Sequence, residues 1–169
     1  VRAVDDIKYL TVEEQGKFLE TAQRSHNYAQ YALILETGLR TGELIGLTWD
    51  AIDWEKRTLT VNKTLEYRHK QAFWRAGPPK TQQSYRTIPL TNRAYEILQG
   101  VELSRAYRKE SPVLSQTLEY IDRRTGVKSQ LIMRDLVFIN FRTGMPNKNS
   151  SYDTHLYKLH NKSRSAVAE

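Results

Sequence analysis

The chain has 169 residues, a formal net charge of +7 and a mean hydropathy of −0.65, which is typical of a polar globular chain with one core. The absence of cysteine excludes disulfides and thiol chemistry, and four scattered histidines argue against a structural zinc site. No apolar run approaches the roughly 20 residues of a membrane span, and no secretory leader is recognisable. The absence of cysteine fits a reducing compartment, so we expect a cytoplasmic protein.

Three helices are predicted in the first fifty residues. Thr11 opens a capping box with the glutamate three residues on, before a helix over Val12–Gln23. Apolar residues at helical spacing predict a second helix between Tyr28 and Gly38, where the glycine ends it. Thr41 is predicted to cap a third, short helix.

The period of the apolar residues changes after Trp54. Thr58–Asn62 alternates and is rich in β-branched residues, which predicts a strand. A second strand is expected within residues 64–74. A third is expected over Tyr85–Leu90, where Pro89 is typical of an edge. Together they predict an α+β fold, mainly helical, with a small three-stranded antiparallel sheet.

The rest of the chain is predicted to be largely helical. Thr91 opens one helix, and Ser111 followed by proline opens another that continues to Ile121. Residues 123–126 are expected to turn. Leu136–Ile139 has the pattern of a short buried strand, and Ser151–Leu159 that of a last helix.

The positive charge is concentrated in one stretch of the chain. Residues 56–93 contain nine Lys or Arg and one acid, Glu66, whereas the remainder has 17 basic and 18 acidic residues. The segment therefore carries +8 and the rest −1. Two interpretations stay open, a solvated surface without a partner and a face that binds a polyanion. The basic residues are Lys56, Arg57, Lys63, Arg68, Lys70, Arg75, Lys80, Arg86 and Arg93.

Arg40 lies between two glycines, Gly38 and Gly42, at the predicted junction of two helices. A guanidinium at such a junction can bind a phosphate through two parallel hydrogen bonds. The N-terminus of the following helix adds free N–H groups, and Glu43 complements its dipole. The alternative is an exposed arginine in an ordinary capped helix–turn–helix.

Two runs of residues carry a family resemblance. Glu36–Asp50 (ETGLRTGELIGLTWD) resembles the first arginine box of tyrosine recombinases, and Pro79–Leu90 (PKTQQSYRTIPL) resembles their lysine hairpin. The order of predicted elements also matches. The resemblance spans about Leu10–Leu159, is least diagnostic over residues 104–134, and points in particular to integrases of conjugative transposons from Gram-positive bacteria.

The resemblance implies a fold of the DNA breaking–rejoining type and site-specific recombination that integrates a mobile element. In this family a tyrosine attacks a DNA phosphodiester and forms a 3′-phosphotyrosyl link, without a metal or another cofactor. Arg40 resembles the first of two arginines that stabilise the transition state. Lys80 resembles the lysine that protonates the leaving 5′-oxygen, with Lys70, Lys63 or no role for Lys80 as alternatives.

The implied partners are double-stranded DNA and other integrase protomers on it, with no membrane and no small-molecule substrate. The residues expected to contact DNA lie around the two motifs. An unrelated RNA-binding domain is a weaker alternative, in which Trp74, Tyr67 and Tyr85 stack on unpaired bases. The expected DNA contacts are Thr41, Lys63, Arg68, Lys70, Arg75 and Arg86.

The family's second cluster, a His-x-x-Arg box followed by the nucleophilic tyrosine, has no convincing match. His155 with Lys158 is the nearest approach, and we reject it. We therefore expect residues 1–10 to be a linker, 11–160 the front part of a catalytic domain that is incomplete at its C-terminus, and 161–169 a tail outside the family pattern.

Two functions stay open, an incomplete portion of a recombinase and a catalytically dead DNA-binding remnant. No nucleophile is assigned, and we expect these 169 residues alone to form no covalent adduct with DNA.

Overall fold

Five helices and seven short strands occupy residues 10–165, which the computed structural model describes without the side chains of residues 153, 159–160 and 162–165. The α+β fold class is confirmed. The helices are α1 (Val12–Ala22), α2 (Tyr28–Thr37), α3 (Thr41–Ile45), α4 (Asn92–Leu103) and α5 (Asn149–Ser165). The strands are β1 (Ile52–Asp53), β2 (Thr58–Val61), β3 (Thr64–Arg68), β4 (Phe73–Gly77), β5 (Arg86–Pro89), β6 (Thr117–Ile121) and β7 (Lys128–Ile132).

The first helices begin and end as the sequence predicts, with one exception. The Thr11 hydroxyl accepts the Glu14 N–H while the Glu14 carboxylate accepts the Thr11 N–H, so the capping box is confirmed. Gly38 ends α2 at φ 65°, a left-handed conformation that favours glycine. The prediction for Thr41 is wrong by one residue, because Arg40 takes the extended cap conformation and Thr41 is already helical.

The three-stranded sheet is present, but its strands are β1, β2 and β5 in that order. β5 is an edge strand, as Pro89 predicts, and pairs antiparallel with β2. The prediction of one strand within residues 64–74 is wrong. The polar residues 69–72 form a turn, with Ala72 at φ 55°, and β3 and β4 pair as a separate hairpin.

The predicted helix from Ser111 to Ile121 is also wrong. Ser111 caps a single 3-10 turn over Pro112–Ser115. The chain then forms the β6–β7 hairpin, because Thr117–Ile121 alternates between less and more exposed residues with a period of two. Residues 123–126 turn as expected, with Gly126 at φ 69°.

Leu136–Ile139 is buried as predicted but is not a strand. A single bridge joins Leu136 to Thr48, and the Val137 N–H donates to the Leu47 carbonyl at 2.8 Å. The guanidinium of Arg108 donates to the carbonyls of Leu136 and Val137, so a side chain replaces the missing strand partner. Burial lowers the pKa of Arg108 to about 10.

The last helix is longer than the predicted Ser151–Leu159. It includes residues 161–165 of the expected tail, and residues 166–169 lie outside the described part of the chain. The expected linker, residues 1–10, lies outside it too apart from Leu10. None of the described helices is long and apolar enough to cross a membrane.

A close backbone contact joins α3 to the β3–β4 hairpin. Gly46 follows α3, and a Cβ there would lie 2.7 Å from the backbone nitrogen of Leu65 and 2.8 Å from the carbonyl carbon of Thr64. Only glycine permits this approach without displacing backbone. Leu44 and Leu65, both fully buried, complete the contact in one continuous core.

Candidate functional site

A cleft of about 410 Å³ opens between α3 and the β3–β4 hairpin. Its lining comes from α3, both hairpins, the loop before β5 and the start of α5. The lining contains five cationic residues and only two carboxylates, Glu43 and Glu66, so the cleft carries an excess of positive charge. The five cationic residues in its lining are Arg40, Arg68, Arg75, Lys80 and Arg123.

Arg40 is anchored at its base and exposed at its guanidinium. Its backbone N–H donates to Glu43 Oε2 at 2.9 Å, and its Nη1 donates to Glu43 Oε1 at 3.1 Å and to Ser84 Oγ at 3.2 Å. The side chain nevertheless remains 64% exposed. Its remaining N–H groups are therefore free to meet a ligand in a fixed orientation.

Glu43 is the buried centre of this cluster, with a side chain only 2% exposed. Arg86 donates to both of its oxygens, at 2.9 and 3.1 Å, and to the Gly38 carbonyl at 3.3 Å. Burial alone would raise the pKa of Glu43, but hydrogen bonds from Arg86 and Arg40 outweigh it and lower that pKa. One carboxylate thus binds two arginines and leaves one unbalanced positive charge.

Arg86 was expected to contact DNA, and the structure gives it another position. Its guanidinium is committed to Glu43 and to the Gly38 carbonyl, and it is not part of the cleft lining. It therefore supports the carboxylate that orients Arg40.

Lys80 lies at the mouth of the same cleft, directly after the buried Pro79. It is exposed, and among the described residues its ammonium has no ion-pair or hydrogen-bond partner. Four residues on, Ser84 contacts Arg40, so a single loop joins the two predicted catalytic residues.

Arg68 and Arg75 face the cleft from adjacent strands and share the carboxylate of Glu66, at 2.9 and 3.0 Å. Lys70 is exposed in the turn beyond them and does not line the cleft. Thr41 lies at the first position of α3, half-buried, next to Arg40.

Lys63 does not fit the expected set of DNA contacts. It is buried, and its Nζ donates to Thr48 Oγ1 at 2.7 Å and to Asp50 Oδ1 and Oδ2 at 3.0 and 3.1 Å. Burial would raise the pKa of Asp50, but the bonds from Thr48 and Lys63 lower it. The charge of Lys63 is thus neutralised inside the protein.

The aromatic rings considered for base stacking are occupied by the protein itself. Trp74 is buried and packs edge-on against Tyr67, with ring centroids 5.1 Å apart. The Tyr67 ring also contacts the Lys148 ammonium at 3.8 Å, and Arg124 lies over the Tyr85 ring. This arrangement argues against the RNA-binding alternative, which needs open ring faces.

His155 and Tyr152 belong to a different surface. The His155 ring lies 2.7 Å from the Tyr31 hydroxyl and stacks on His26, outside the cleft lining. Tyr152 is buried beneath it, and burial raises its pKa well above the usual tyrosine range. Neither residue faces the cleft that holds Arg40.

Sequence reasoning missed three contributors to the site. Ser84 lies within the run that resembles the lysine hairpin, Asn149 precedes the predicted last helix, and Arg123 lies in the predicted turn. Arg123 had no local signal, because it lies outside the basic segment and reaches the cleft only through the fold. Among the described residues, no group of three His, Cys, Asp or Glu could hold a metal ion.

Comparisons with known proteins find a family, curated relatives and solved structures that the chain resembles. The sequence model of the phage integrase family matches residues 8–166. A transposase from transposon Tn916 of Enterococcus faecalis is 32% identical over 100 residues, which is 57% of this chain and 24% of that protein. A "Tyrosine recombinase XerC-like" protein of Caldanaerobacter subterraneus subsp. tengcongensis is 33% identical over 94 residues, 51% of this chain and 24% of that protein.

Among solved structures, the Tn1549 transposon integrase in complex with circular intermediate DNA matches 96% of this chain and 48% of its own, with 25% identity and a TM-score of 0.70. XerA recombinase shares the fold at 17% identity, with a TM-score of 0.60 over 96% of this chain and 45% of that one. The chain thus spans about a quarter of the curated relatives and about half of the solved structures.

Proposed function

The chain belongs to the phage integrase family, the tyrosine recombinases, and from this premise we propose that it serves in site-specific recombination of a mobile element. Residues 11–160 form the front part of the catalytic domain in this proposal, and double-stranded DNA is the substrate. Other protomers bound to the same DNA and a cytoplasmic location belong to the proposal too. The DNA complex of the similar Tn1549 integrase supports the choice of partner.

One observation carries the proposal, namely the five cations gathered around one cleft from four separate parts of the fold. Their charge is only partly balanced, since Glu43 and Glu66 are the acids in the lining. A groove with this excess attracts the phosphate backbone and releases counterions on binding. The residues with phosphate-binding roles in the proposal are Arg40, Arg68, Arg75 and Lys80, with Thr41 and Lys70 at the margins.

Arg40 is proposed to stabilise the transition state of strand cleavage. When a tyrosine hydroxyl attacks phosphorus, negative charge grows on the non-bridging oxygens, and a preorganised guanidinium favours that state over the ground state. The contacts of Arg40 with Glu43 and Ser84 supply the preorganisation.

Lys80 is proposed to donate the proton. The bond between phosphorus and the 5′-oxygen breaks as the phosphotyrosyl bond forms, and the leaving oxygen takes a proton from the ammonium. Lys80 lines the cleft, and its exposed ammonium meets no carboxylate among the described residues.

A second candidate is DNA binding without strand cleavage. The burial of Tyr152 and the position of His155 outside the cleft favour it, because neither can act on a phosphate held at Arg40. Formation of a phosphotyrosyl adduct with nicked attachment-site DNA, seen on a denaturing gel, separates the two. Because these 169 residues alone are expected to form no adduct, the assay uses a form of the protein that includes the rest of the catalytic domain. An adduct formed by that protein supports the recombinase, whereas binding without an adduct supports the second candidate.

The DNA-binding step is tested by fluorescence anisotropy with a 30-bp duplex across a salt series. With about four to six phosphate contacts, log K should fall with log salt at a slope of roughly −4 to −5. Lys80→Ala should reduce the slope by about 1, while the matched variant Lys63→Met should leave it unchanged because Lys63 is neutralised internally. A flat salt response of the unmodified chain would overturn the proposal.

A further inference from the structure

The turn between β6 and β7 is tied to the loop that carries Lys80. The Tyr85 hydroxyl donates to Asp122 Oδ2 at 3.1 Å and accepts the backbone N–H of Arg123 at 2.9 Å. One phenol thus bonds two consecutive residues at the tip of the β6–β7 hairpin, the first through its side chain and the second through its backbone N–H.

The turn itself has a defined shape. Asp122 Oδ1 accepts the backbone N–H groups of Arg124 and Thr125, both at 2.9 Å, and the Asp122 carbonyl accepts the Gly126 N–H at 2.8 Å. The guanidinium carbon of Arg124 lies 5.3 Å from the centre of the Tyr85 ring. The direction of Arg123 is therefore set by both the turn and the tether.

Residues 84 and 85 connect two walls of the cleft. Ser84 accepts a hydrogen bond from Arg40, and its neighbour Tyr85 bonds the β6–β7 turn. As a result Arg123 lines the same cleft as Arg40, although the two residues are 83 positions apart.

The charge of Arg123 is available to a ligand. Its side chain is exposed, and within the described residues it has no carboxylate partner. Arg68 and Arg75, by contrast, share Glu66. An unpaired guanidinium in a basic cleft is the chemistry that binds a backbone phosphate.

We propose that Arg123 is a further phosphate contact of the bound duplex and that Tyr85 is the positioning residue that holds it at the cleft. The proposal rests on the proposed function, because the ligand is the same DNA. It adds a contact from the β6–β7 hairpin, which lies within the part of the chain with the weakest sequence resemblance, to the contacts made by α3 and the β3–β4 hairpin.

The test compares four variants of the full chain by anisotropy with a 30-bp duplex between 50 and 200 mM salt. Arg123→Ala should weaken binding roughly three- to tenfold at low salt and reduce the salt slope by about 1. Arg123→Lys should restore the slope. Arg134→Ala, which removes an equal charge from an exposed residue paired with Glu110 outside the cleft, should behave as the unmodified chain.

Tyr85→Phe removes the tether but not the charge. It should weaken binding about two- to threefold with its salt slope retained, since Arg123 keeps its charge but loses its fixed position. Thermal melting checks that this variant is folded. If it is not, amide hydrogen exchange of the unmodified chain tests the same contact, because the Arg123 N–H should be protected where it donates to the Tyr85 hydroxyl. Rapid exchange of that N–H would remove the positioning role.

The outcomes are distinguishable from those of the proposed function. If the unmodified chain binds with the expected slope while Arg123→Ala binds equally well, this inference is wrong and the proposed function stands. Unchanged binding by a folded Tyr85→Phe would remove the positioning role. A flat salt response of the unmodified chain would instead remove the proposed function itself.

Discussion

Arg40 and Lys80 line the same cleft, but the protein supports them in opposite ways. Arg40 is bound through its backbone and side chain by a buried carboxylate, which a second arginine holds in turn. Lys80 projects from a loop, and no described residue bonds its ammonium. In the proposed function, Arg40 needs a fixed orientation and Lys80 needs to release a proton, so the two proposed roles differ as the two surroundings do.

The difference agrees with the chemistry of the two side chains. A guanidinium stays charged at any physiological pH, so its usefulness depends on orientation. An ammonium that must release a proton would be hindered by a carboxylate partner, because that partner favours the charged form. The surroundings of each residue thus predict different responses to mutation.

The largest expected effect is on strand cleavage. In a cleavage-competent form of the recombinase, Arg40→Ala should slow single-turnover cleavage about 10²–10³-fold, and Lys80→Ala about 10²–10⁴-fold. Binding should weaken by less than about tenfold in both. A substrate with sulfur in place of the leaving 5′-oxygen needs little proton donation, so it should rescue Lys80→Ala alone.

Arg134→Ala serves as the control for these rates, since it removes an equal charge outside the cleft. Normal cleavage by either alanine variant would eliminate the role assigned to that residue. Equal rescue of both variants by the sulfur substrate would contradict the assignment of proton donation to Lys80 alone.

The next effect in size concerns the support of Arg40. Glu43→Ala leaves Arg40 and Arg86 without their shared acceptor and should lower the free energy of unfolding by about 2–3 kcal/mol. The loss stays below that of a fully buried pair because the two arginines are 64% and 30% exposed and can be hydrated. Urea denaturation measures it.

Glu66→Ala is the matched control, since Glu66 also bridges two arginines but is 37% exposed. It should change stability by less than about 1 kcal/mol. Equal losses in the two variants would show that burial of the carboxylate has no special role at Arg40.

The smallest effect concerns pH. The pKa of Glu43 in the folded protein lies below its ordinary value, so the unfolded chain binds a proton first as the pH falls. The stabilisation is therefore complete above the unfolded pKa and is lost as pH falls through the folded pKa. Below about pH 5, the urea midpoint should fall less steeply for Glu43→Gln than for the unmodified chain. Parallel curves would contradict this origin of the pH dependence.

Local signals in the sequence predicted those parts of the fold that local interactions determine. The Thr11 capping box, the Gly38 helix end and the edge position of Pro89 each depend on a few neighbouring residues, and all three are confirmed. The wrongly predicted elements lie where the sequence fits two patterns of secondary structure at once. Thr117–Ile121 satisfies apolar spacing for a helix and alternation for a strand, and pairing with β7 decided for the strand.

The candidate site was predictable to a similar extent. Both motif residues, Arg40 and Lys80, lie on one cleft, which their spacing alone could not show. The inward position of Lys63 and the use of Arg86 as a support for Glu43 required three-dimensional contacts with residues 13 and 43 positions away. Net charge along the chain cannot distinguish a neutralised lysine from an exposed one.

Gly46 determines how closely the two walls of the cleft approach each other. Because the residue after α3 lies against the backbone of residues 64 and 65, the Arg40 wall and the hairpin wall approach more closely here than any side chain at residue 46 would permit. A single methyl group at residue 46 would collide with the backbone of residues 64 and 65, so the two walls of the cleft would have to move apart.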